Sequence, residues 1–545
     1  MIPLQTHSLR DPINNLKVVI VGGGSAGWMT AAYLSKALNR GVAIHLIESP
    51  AAPTIGVGEA TFSTIHLFLE FLELKETDWM PYCNASYKLA IRFVDWNAEG
   101  GYFYHPFQRF CTVKGRSILE WWLRMKRGET RFDYDCFTVP TLCDAKRSPR
   151  YLDGRVFDTT VQSYMGSEGK SRATRLDDLR AQYPFGYHFD ATLFADFMMN
   201  YAQRRGVLRS VDDVLEAQLR DDGSIAALHT KEHGWIEGDI FVDCTGFQGL
   251  LINKVLKEPF LEFSASLPCD RAVAMRVPRE QKSREINPYT TATALSRGWA
   301  WDIPLYHRIG TGYVYSSAHA TPEAAEREFR AHLGPRADGA TASHIKMRVG
   351  RNRNSWVKNC VAIGLASGFV EPLESTGLFF VHHGIEQFAN HFPQTTMAEE
   401  SLNAFNQTVN NCMDGVREFL TLHYVASTRR DTAFWRATKE DLTLPGDLSD
   451  RLKLWKRIPP TDRTINPKYH GFEAYSYCVM LQGLGYSSDS AFGVPDYMDD
   501  SDAALMFEQI KREAERLAFD LPSQFDYLLL QNDIRAGGTR CALEA

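Results

Sequence analysis

The sequence lacks several features that mark other classes of protein. No run of apolar residues approaches the roughly 18 that a membrane-spanning helix needs. The net charge is -6 at pH 7, so the chain also lacks the basic excess with which nucleic-acid-binding proteins neutralise phosphates. We therefore expect neither a membrane nor a nucleic acid as a partner.

Paired cysteines are also missing. The ten cysteines fall singly, with no CxxC pair and no spacing typical of a zinc site. The first residues, MIPLQTHSLRDPINNLK, lack the apolar core and cleavage site of a secretion signal. These absences predict reduced thiols, no bound metal and a cytoplasmic location.

Linkers and repeats are absent as well, although the chain is long. Its 545 residues exceed the roughly 100–200 of a typical domain, yet no Pro/Gly/Ser-rich linker, internal repeat or low-complexity tract divides them. Hydrophobic residues make up 44% and charged residues 23%, as in ordinary globular proteins. We therefore expect interleaved lobes and not domains in series.

The clearest pattern that is present opens the chain. Residues 17–21 form a short apolar β-branched run, and residues 28–38 follow at helical periodicity. A second apolar run covers residues 43–47 and ends at Glu48. This order predicts one βαβ unit with a parallel sheet.

The turn between the first strand and the helix has the spacing Gly22-x-Gly24-x-x-Gly27. Gly22 allows the tight turn, Gly24 lets the backbone approach a pyrophosphate, and Gly27 allows close helix–strand packing. The helix N-terminus offers free N–H groups to phosphates. Glu48 stands where an acid accepts hydrogen bonds from the adenosine ribose. The pattern predicts a bound adenine dinucleotide.

FAD is a better expectation than NAD. A loop with two glycines and an acid covers residues 55–60, and a predicted hairpin at 215–228 precedes a strand at 239–243 that runs into Thr245-Gly246. Flavoproteins of the hydroxylase type resemble this arrangement. A second Gly-x-Gly-x-x-Gly after a strand is missing, so a nicotinamide domain is not expected. Electrons for the flavin must then come from outside this chain or from a nicotinamide that visits it transiently.

Three further segments resemble the flavin-dependent halogenases of the tryptophan halogenase family. Residues 298–304 (GWAWDIP) match its GWxWxIP signature, and residues 369–377 (FVEPLESTG) match its FxxPxxSxG segment, with the extra glutamate of the indole-directed branch. Lys88 stands where the family has its essential lysine. The segments at 22–29 and 56–61 also resemble the family's loops, and the likeness spans roughly residues 17–490.

The resemblance implies an α/β fold, with a three-layer, Rossmann-like FAD-binding domain of the flavin monooxygenase type and an interleaved, mainly helical substrate lobe. The FAD domain is expected at 1–400, with insertions at about 80–200 and 255–345, and the helical lobe at 401–545. The residues expected to bind FAD are Gly22, Gly24, Ser25, Ala26, Gly27, Glu48, Gly58, Glu59, Ala60, Val214, Leu365 and Leu378.

The same resemblance implies a two-component reaction. In that family a separate reductase supplies FADH2, and hypohalous acid made from oxygen and chloride or bromide reaches the lysine through a tunnel. Lys88 and Glu374 are then the catalytic residues. Hypohalous acid is a weak electrophile until its oxygen is protonated or hydrogen-bonded; an ammonium can do this, or a neutral amine can become an N-haloamine. A desolvated lysine suits either role.

Other residues receive roles by the same resemblance. Glu374 would stabilise the cationic ring, orient the ammonium and accept the departing proton; otherwise it is a charge at a helix N-terminus. The halide would lie at Ser375, Thr376 and Gly377. The tunnel wall would comprise Trp299, Trp301, Ile303 and Pro304, and the substrate would contact His105, Pro106, Phe107, Tyr475 and Tyr477, although the tryptophans and tyrosines could equally be core.

Two departures affect the substrate and the reaction. Gly364-Leu365 replaces the Gly-Asp of ordinary flavin hydroxylases, which argues against plain hydroxylation. Free-tryptophan halogenases carry Phe-Trp before a Tyr-Tyr-Cys, whereas residues 471–478 read GFEAYSYC. Indole, a substituted indole or a larger indole-bearing molecule is therefore as good a candidate substrate as tryptophan. The protein is expected to be a monomer or a homodimer. A flavin monooxygenase and a flavin-binding sensor without turnover are the alternatives.

Overall fold

The computed structural model describes residues 16–38, 41–51, 58–125, 131–158, 183–279, 283–393, 397–486, 488 and 493–535. Residues 55–57 of the predicted flavin loop lie outside these ranges. The strands, numbered in chain order, are β1 Leu16–Val21, β2 Val42–Glu48, β3 Glu59–Ala60, β4 Ser86–Lys88, β5 Ala90–Val94, β6 Tyr102–Pro106, β7 Thr112–Val113, β8 Arg116–Ser117, β9 Gly186–Phe189, β10 Leu208–Val211, β11 Val214–Leu219, β12 Ile225–Thr230, β13 Gly234–Glu237, β14 Ile240–Asp243, β15 Phe260–Glu262, β16 Arg271–Pro278, β17 Tyr289–Leu295, β18 Gly298–Pro304, β19 Arg308–Tyr315, β20 Ser343–Lys346, β21 Gly350–Asn352, β22 Trp356–Val357, β23 Cys360–Ala362 and β24 Gly368–Phe369.

Helices follow the strands throughout the chain and replace them after residue 399 in the described part. The helices are α1 Ser25–Ala37, α2 Ile65–Phe71, α3 Glu76–Trp79, α4 Ile118–Arg124, α5 Phe132–Cys136, α6 Val139–Asp144, α7 Ala191–Arg204, α8 Pro322–Leu333, α9 Gly377–Asn390, α10 Glu399–Ala426, α11 Ala433–Glu440, α12 Leu448–Trp455, α13 Ala474–Gly483, α14 Ser501–Asp520 and α15 Gln524–Arg535. None of these described helices is long and apolar enough to span a membrane.

The first sheet has six strands in the order β10-β2-β1-β14-β23-β22. Its first five strands run parallel, and β22 is antiparallel to β23. The βαβ unit predicted at the N-terminus is confirmed by β1, α1 and β2, and the predicted hairpin by β11 and β12. Because parallel strands share one carboxyl edge, the loops after β1, β2, β14 and β23 meet there.

A second sheet of seven strands stands beside the first, in the order β20-β16-β19-β18-β17-β5-β6. Its strands come from residues 90–106 and 271–346, which belong to the two predicted insertions. Strand β4, which carries Lys88, lies one residue before β5 and pairs with β9. Ser86 Oγ of β4 donates to the Pro304 carbonyl oxygen, so β4 lies next to the end of the GWAWDIP strand β18.

One large apolar core joins these layers. It runs from Val18 in β1 to Leu528 in α15 and includes aromatic rings of both sheets and of the C-terminal helices. The α/β fold expected from the sequence is confirmed. The boundary at residue 400 stays a prediction, because the core passes through both sides of it.

Candidate active site

The glycine turn after β1 needs glycine at Gly22 and Gly27 for steric reasons and leaves open space beside Gly24. Gly22 has φ +116°, and a Cβ there would lie 2.2 Å from the Cys244 carbonyl oxygen. A Cβ on Gly27 would lie 1.8 Å from the Gly22 carbonyl oxygen, whereas a Cβ on Gly24 would meet no atom within 4 Å. Helix α1 has no acidic residue in its first turn and no capping side chain. Open space beside Gly24 and free N–H donors fit a pyrophosphate.

Glu48, at the end of β2, is held in place by two neighbours. The Trp28 indole N–H donates to Glu48 Oε2 at 3.2 Å, and Arg209 Nε donates to Oε1 at 2.5 Å. The carboxylate lies over Gly23, where a Cβ would be 1.7 Å from Oε2. Neither Trp28 nor Arg209 was predicted, since only their packing against Glu48 connects them to the turn.

The other residues predicted to bind FAD lie around the same carboxyl edge. Ala26 lies beside Gly364, the residue before Leu365, since a Cβ on Gly364 would be 2.8 Å from the Ala26 Cβ. Leu378 is buried in the first turn of α9, a helix that packs against α1. Ser25 Oγ is 3.4 Å from the Ala191 carbonyl oxygen.

Two further groups approach this edge from its flanks. Glu59 and Ala60 form β3, which pairs with β9, and burial raises the pKa of Glu59 to about 7. Val214 begins β11, two residues after Asp212, whose N–H donates to the Glu48 carbonyl oxygen at 2.8 Å. Val214 therefore lies on the Glu48 side of the sheet.

Lys88 ends strand β4 with its side chain fully buried. Its Nζ donates to Ser375 Oγ at 2.6 Å and to the Thr61 carbonyl oxygen at 3.3 Å, and lies 5.0 Å from the Phe107 ring centre. Burial lowers the pKa of Lys88 to about 7, and the nearby Glu374 carboxylate opposes this shift. The amine is thus poised between its two protonation states near neutral pH.

Glu374 is also fully buried and is bracketed by two histidines. His105 Nδ1 lies 3.0 Å from Oε1 and 3.1 Å from Oε2, and His423 Nε2 lies 2.9 Å from Oε1. Burial acts to raise the pKa of Glu374, but the two histidines outweigh it and bring the pKa to about 2. Glu374 is therefore a carboxylate at neutral pH.

His423 holds Glu374 from helix α10. Its Nδ1 donates to the Phe419 carbonyl oxygen at 2.8 Å, because a carbonyl can only accept. Its Nε2 lies 2.9 Å from Glu374 Oε1. The Phe419 carbonyl therefore fixes the orientation of the imidazole ring that faces the carboxylate.

The predicted halide residues follow Glu374 directly. Ser375 adopts a left-handed backbone with φ +59°, a conformation that costs energy in any residue but glycine. Thr376 is fully buried, and its Oγ1 has no partner among the described residues. Gly377 begins α9, and a Cβ on it would meet no atom within 4 Å. An unused hydroxyl beside open space fits a desolvated halide.

The predicted substrate residues separate into two layers. His105 and Pro106 end β6, and the Nε2 of His105 is buried without a partner in the described part of the chain. The Tyr475 ring lies 6.2 Å from the His105 ring. Tyr477 lies further back: His470 Nε2 is 2.8 Å from its hydroxyl, and its ring packs 4.8 Å from Phe419. Phe107 thus lies beside Lys88, His105 lies between Glu374 and Tyr475, and Tyr477 packs behind them in the core.

The two tryptophans of β18 point to the same face of the strand, with ring centres 6.3 Å apart. The Trp299 indole N–H donates to Glu371 Oε2 at 3.2 Å. The Trp301 indole N–H is buried without an acceptor among the described residues. The same motif therefore holds one tryptophan that is hydrogen-bonded and one that is not.

The end of β18 joins the flavin side of the site to the lysine side. Ile303 Cγ2 would lie 3.6 Å from a Cβ on Gly58, beside the predicted flavin loop. The Pro304 carbonyl oxygen accepts from Ser86 Oγ at 2.5 Å, two residues before Lys88. The strand thus lies between the two ends that the predicted tunnel would connect.

Sequence reasoning missed the residues that hold the loop around the catalytic carboxylate. His423, which bonds to Glu374, and Tyr424, which bonds to Glu371, lie 49 and 53 positions from these partners and match no motif. One signal was available: both lie in an otherwise apolar stretch of α10 (FLTLHYVA), where buried polar side chains need partners. No group of three or more metal-ligating side chains occurs within the described ranges.

The fold and the site define a flavoprotein class in which a buried lysine–glutamate pair stands apart from the dinucleotide turn. The chain matches the tryptophan halogenase family over residues 17–500. It is 49% identical over 519 residues to the tryptophan 6-halogenase SttH of Streptomyces toxytricini, covering 94% of this chain and 97% of that protein. The 7-chloro-L-tryptophan 6-halogenase KtzR of Kutzneria sp. (strain 744) is 48% identical over 511 residues, covering 94% and 98%.

Solved structures agree with these sequence matches. Tar14, a tryptophan C-6 flavin-dependent halogenase from taromycin biosynthesis, superposes with a TM-score of 0.89 at 47% identity, covering 95% of this chain and 99% of that one. The chain therefore belongs to the tryptophan halogenase family and is a flavin-dependent halogenase of indole rings. The hydroxylase alternative is not favoured.

Proposed function

We propose that this enzyme halogenates tryptophan at C6 of its indole ring. The observation that carries the proposal is the buried contact of Lys88 with Ser375, directly beside the ionised Glu374. The relatives SttH and KtzR, both named as 6-halogenases, support the position on the ring. KtzR is named for 7-chloro-L-tryptophan, so an already halogenated tryptophan is a second substrate to test.

The cofactor fits the residues at the carboxyl edge of the first sheet. Gly22, Gly24 and Gly27 with the N-terminus of α1 would hold the pyrophosphate of FAD, and Glu48 its ribose. The remaining FAD contacts would come from Ser25, Ala26, Gly58, Glu59, Ala60, Val214, Leu365 and Leu378. Bound as FADH2, the flavin supplies hypohalous acid from oxygen and a halide that Thr376 and Gly377 would hold.

The side chains of the site then carry out the electrophilic step. The Lys88 ammonium donates to the oxygen of the hypohalous acid and polarises its oxygen–halogen bond. The ring carbon forms a bond to the halogen, the oxygen–halogen bond breaks, and the oxygen leaves as water with the proton from Lys88. Glu374 takes the proton that the ring loses and returns it to Lys88. Overall, FADH2, O2, halide, H⁺ and the arene give FAD, the aryl halide and two molecules of water.

The surroundings of the pocket support an amino acid as substrate. His105, Phe107 and Tyr475 offer aromatic faces to an indole. Arg109, two residues after Phe107, forms an ion pair with Glu473, two residues before Tyr475, at 2.5 Å. A cation and an anion beside the aromatic pocket match the carboxylate and ammonium of tryptophan.

Partner, location and assembly form the rest of the proposal. A separate flavin reductase delivers FADH2, because the dinucleotide turn after β1 is the single Gly-x-Gly-x-x-Gly found after a strand in the sequence. A cytoplasmic location agrees with the nine described cysteines, which are all free thiols. The enzyme acts as a monomer or a homodimer.

The test uses purified protein with FAD, a flavin reductase, NADH and equal chloride and bromide. Tryptophan, 7-chlorotryptophan and indole are offered separately, and products are identified by mass spectrometry and NMR. We expect 6-halotryptophan as the main product, and Lys88→Ala should abolish halogenation while flavin oxidation continues. Hydroxylated tryptophan, or halogenation that survives Lys88→Ala, would contradict the proposal.

A further inference from the structure

The loop that carries Glu374 holds a second buried carboxylate, which the proposed mechanism leaves unused. Glu371 lies three positions before Glu374 and is likewise fully buried. Its charge has no Lys or Arg partner among the described ion pairs, and burial raises its pKa to about 7. Keeping a carboxylate in such a place costs free energy, so its contacts indicate what it does.

Three elements meet at Glu371. The Trp299 indole N–H of β18 donates to Oε2 at 3.2 Å, and the Tyr424 hydroxyl of α10 donates to the same oxygen. The Cys269 backbone N–H, two residues before β16, donates to Oε1 at 3.2 Å. One side chain therefore fastens the loop to β18 and to the start of β16 in the second sheet, and to helix α10 in the C-terminal lobe.

Helix α10 contacts the two carboxylates with consecutive residues. His423 bonds to Glu374, and Tyr424 bonds to Glu371. The loop cannot slide along the helix without losing both bonds. These two bonds help to hold Ser375 in its left-handed backbone conformation, which persists only where the surroundings fix it. The Ser375 hydroxyl in turn accepts a hydrogen bond from the Lys88 ammonium.

We propose that Glu371 is a positioning residue for halogenation and that Trp299 acts through it. Glu371 sets where Glu374 and Ser375 stand opposite Lys88, without touching the substrate. The two tryptophans of the GWAWDIP strand then have different roles: Trp299 fixes the catalytic loop, and Trp301 contributes its ring to the wall. This inference rests on the proposed function of Lys88 and Glu374.

The matched pair Trp299→Phe and Trp301→Phe tests this difference, because each variant loses one N–H and replaces the indole by the same smaller aromatic ring. Only the Trp299 N–H has an acceptor within the described structure. Trp299→Phe leaves Glu371 without this buried donor, so it should lower kcat about 10-fold or more. KM for tryptophan should change less than about 2-fold, and Trp301→Phe should lower kcat distinctly less.

The ratio of halogenated product to FADH2 oxidised gives a second readout, which a loss of fold alone would not change. In Trp299→Phe and Tyr424→Phe this ratio should fall, and a scavenger should trap more hypohalous acid. In a Glu371→Gln background, Trp299→Phe should cost less than in the wild type, because the partner is already altered. Calorimetric binding of tryptophan and the unfolding temperature show whether each variant is folded.

Equal kcat values for the two tryptophan variants would overturn the role of Glu371, and so would Glu371→Ala with wild-type kcat and product ratio. These results contradict only the positioning role as long as the wild type halogenates. A wild type that makes no halogenated product contradicts the proposed function and overturns the positioning role with it.

Discussion

At the scale of single residues, the central feature is Lys88, a lysine whose side chain is fully buried, where a positive charge is unfavourable. Burial lowers the pKa of Lys88 from 10.5 to about 7. Between these two values the unfolded chain binds more protons than the folded chain, so the folded state gains stability as the pH rises. Each pKa unit corresponds to about 1.4 kcal/mol. The active site therefore lowers the stability of the fold by several kcal/mol at pH 7.

Lys88→Met should raise the free energy of unfolding at pH 7 while it abolishes halogenation. The gain should shrink as the pH approaches 10.5, because both states of the wild type are then largely neutral at this position. Urea unfolding at several pH values measures it. Lys453→Met, at a side chain 75% exposed, is the control and should show no such pH-dependent gain. A Lys88→Met protein less stable than the wild type at pH 7 would contradict a desolvated amine.

The protonated form of Lys88 should also set the pH dependence of the reaction. The ammonium is lost as the pH rises through its folded pKa of about 7. Because the ammonium polarises the hypohalous acid, kcat should fall with one ionisation above that pH. The measurement is product formed at saturating tryptophan with excess FADH2, with flavin oxidation followed as the control. A kcat that rises through pH 7 would instead make the neutral amine the reactive form.

At the scale of elements, two glycines of the turn after β1 have different roles, one in cofactor binding and one in folding. A Cβ on Gly24 enters open space, whereas a Cβ on Gly27 would lie 1.8 Å from a backbone oxygen. Gly24→Ala should therefore keep the unfolding temperature of the FAD-free protein and weaken FAD binding at least 10-fold. Gly27→Ala should lower the unfolding temperature. Fluorescence titration with FAD and thermal scans measure both, and a Gly24→Ala protein that binds FAD normally would contradict the pyrophosphate site.

The local elements of this turn are also what the sequence predicts best. Strand β1, helix α1 and strand β2 follow from apolar periodicity and glycine spacing within about thirty residues. The hairpin β11–β12 follows from its turn residues in the same way. The seven-stranded sheet does not follow, because β17 pairs with β5 across nearly 200 positions, and no local pattern encodes that partner.

The site shows the same limit. Motifs indicate Lys88, Glu374 and Thr376, because each lies in a short segment of recognisable composition. His423 and Tyr424 were not predicted. The periodicity of a helix shows which residues share a face, but it does not show which distant loop that face contacts. The different roles of Trp299 and Trp301 are equally invisible in GWAWDIP. Only the three-dimensional structure shows that the Trp299 N–H has an acceptor and that the Trp301 N–H has none among the described residues.

At the scale of the whole molecule, the catalytic loop is held by parts of the chain that lie far apart in sequence. Glu374 follows the first sheet, His105 belongs to an insertion, and His423 belongs to the C-terminal helices. The apolar core is likewise continuous from Val18 to Leu528. Large chains often unfold domain by domain, but here no lobe can detach without exposing apolar core and an ionised carboxylate.

We therefore expect the FAD-free protein to unfold in one calorimetric transition, even with 545 residues. Circular dichroism, tryptophan fluorescence and loss of halogenation after brief heating should share one midpoint. FAD should move that midpoint upwards as a whole, because a ligand of the folded state stabilises everything that unfolds with its site. A control with His423→Ala, which removes one of the two histidines that contact Glu374, should lower the single midpoint, since a buried charge that loses a partner costs several kcal/mol. Two separated transitions, with FAD shifting only one of them, would show that the lobes unfold independently and that the site is held by contacts weaker than its geometry indicates.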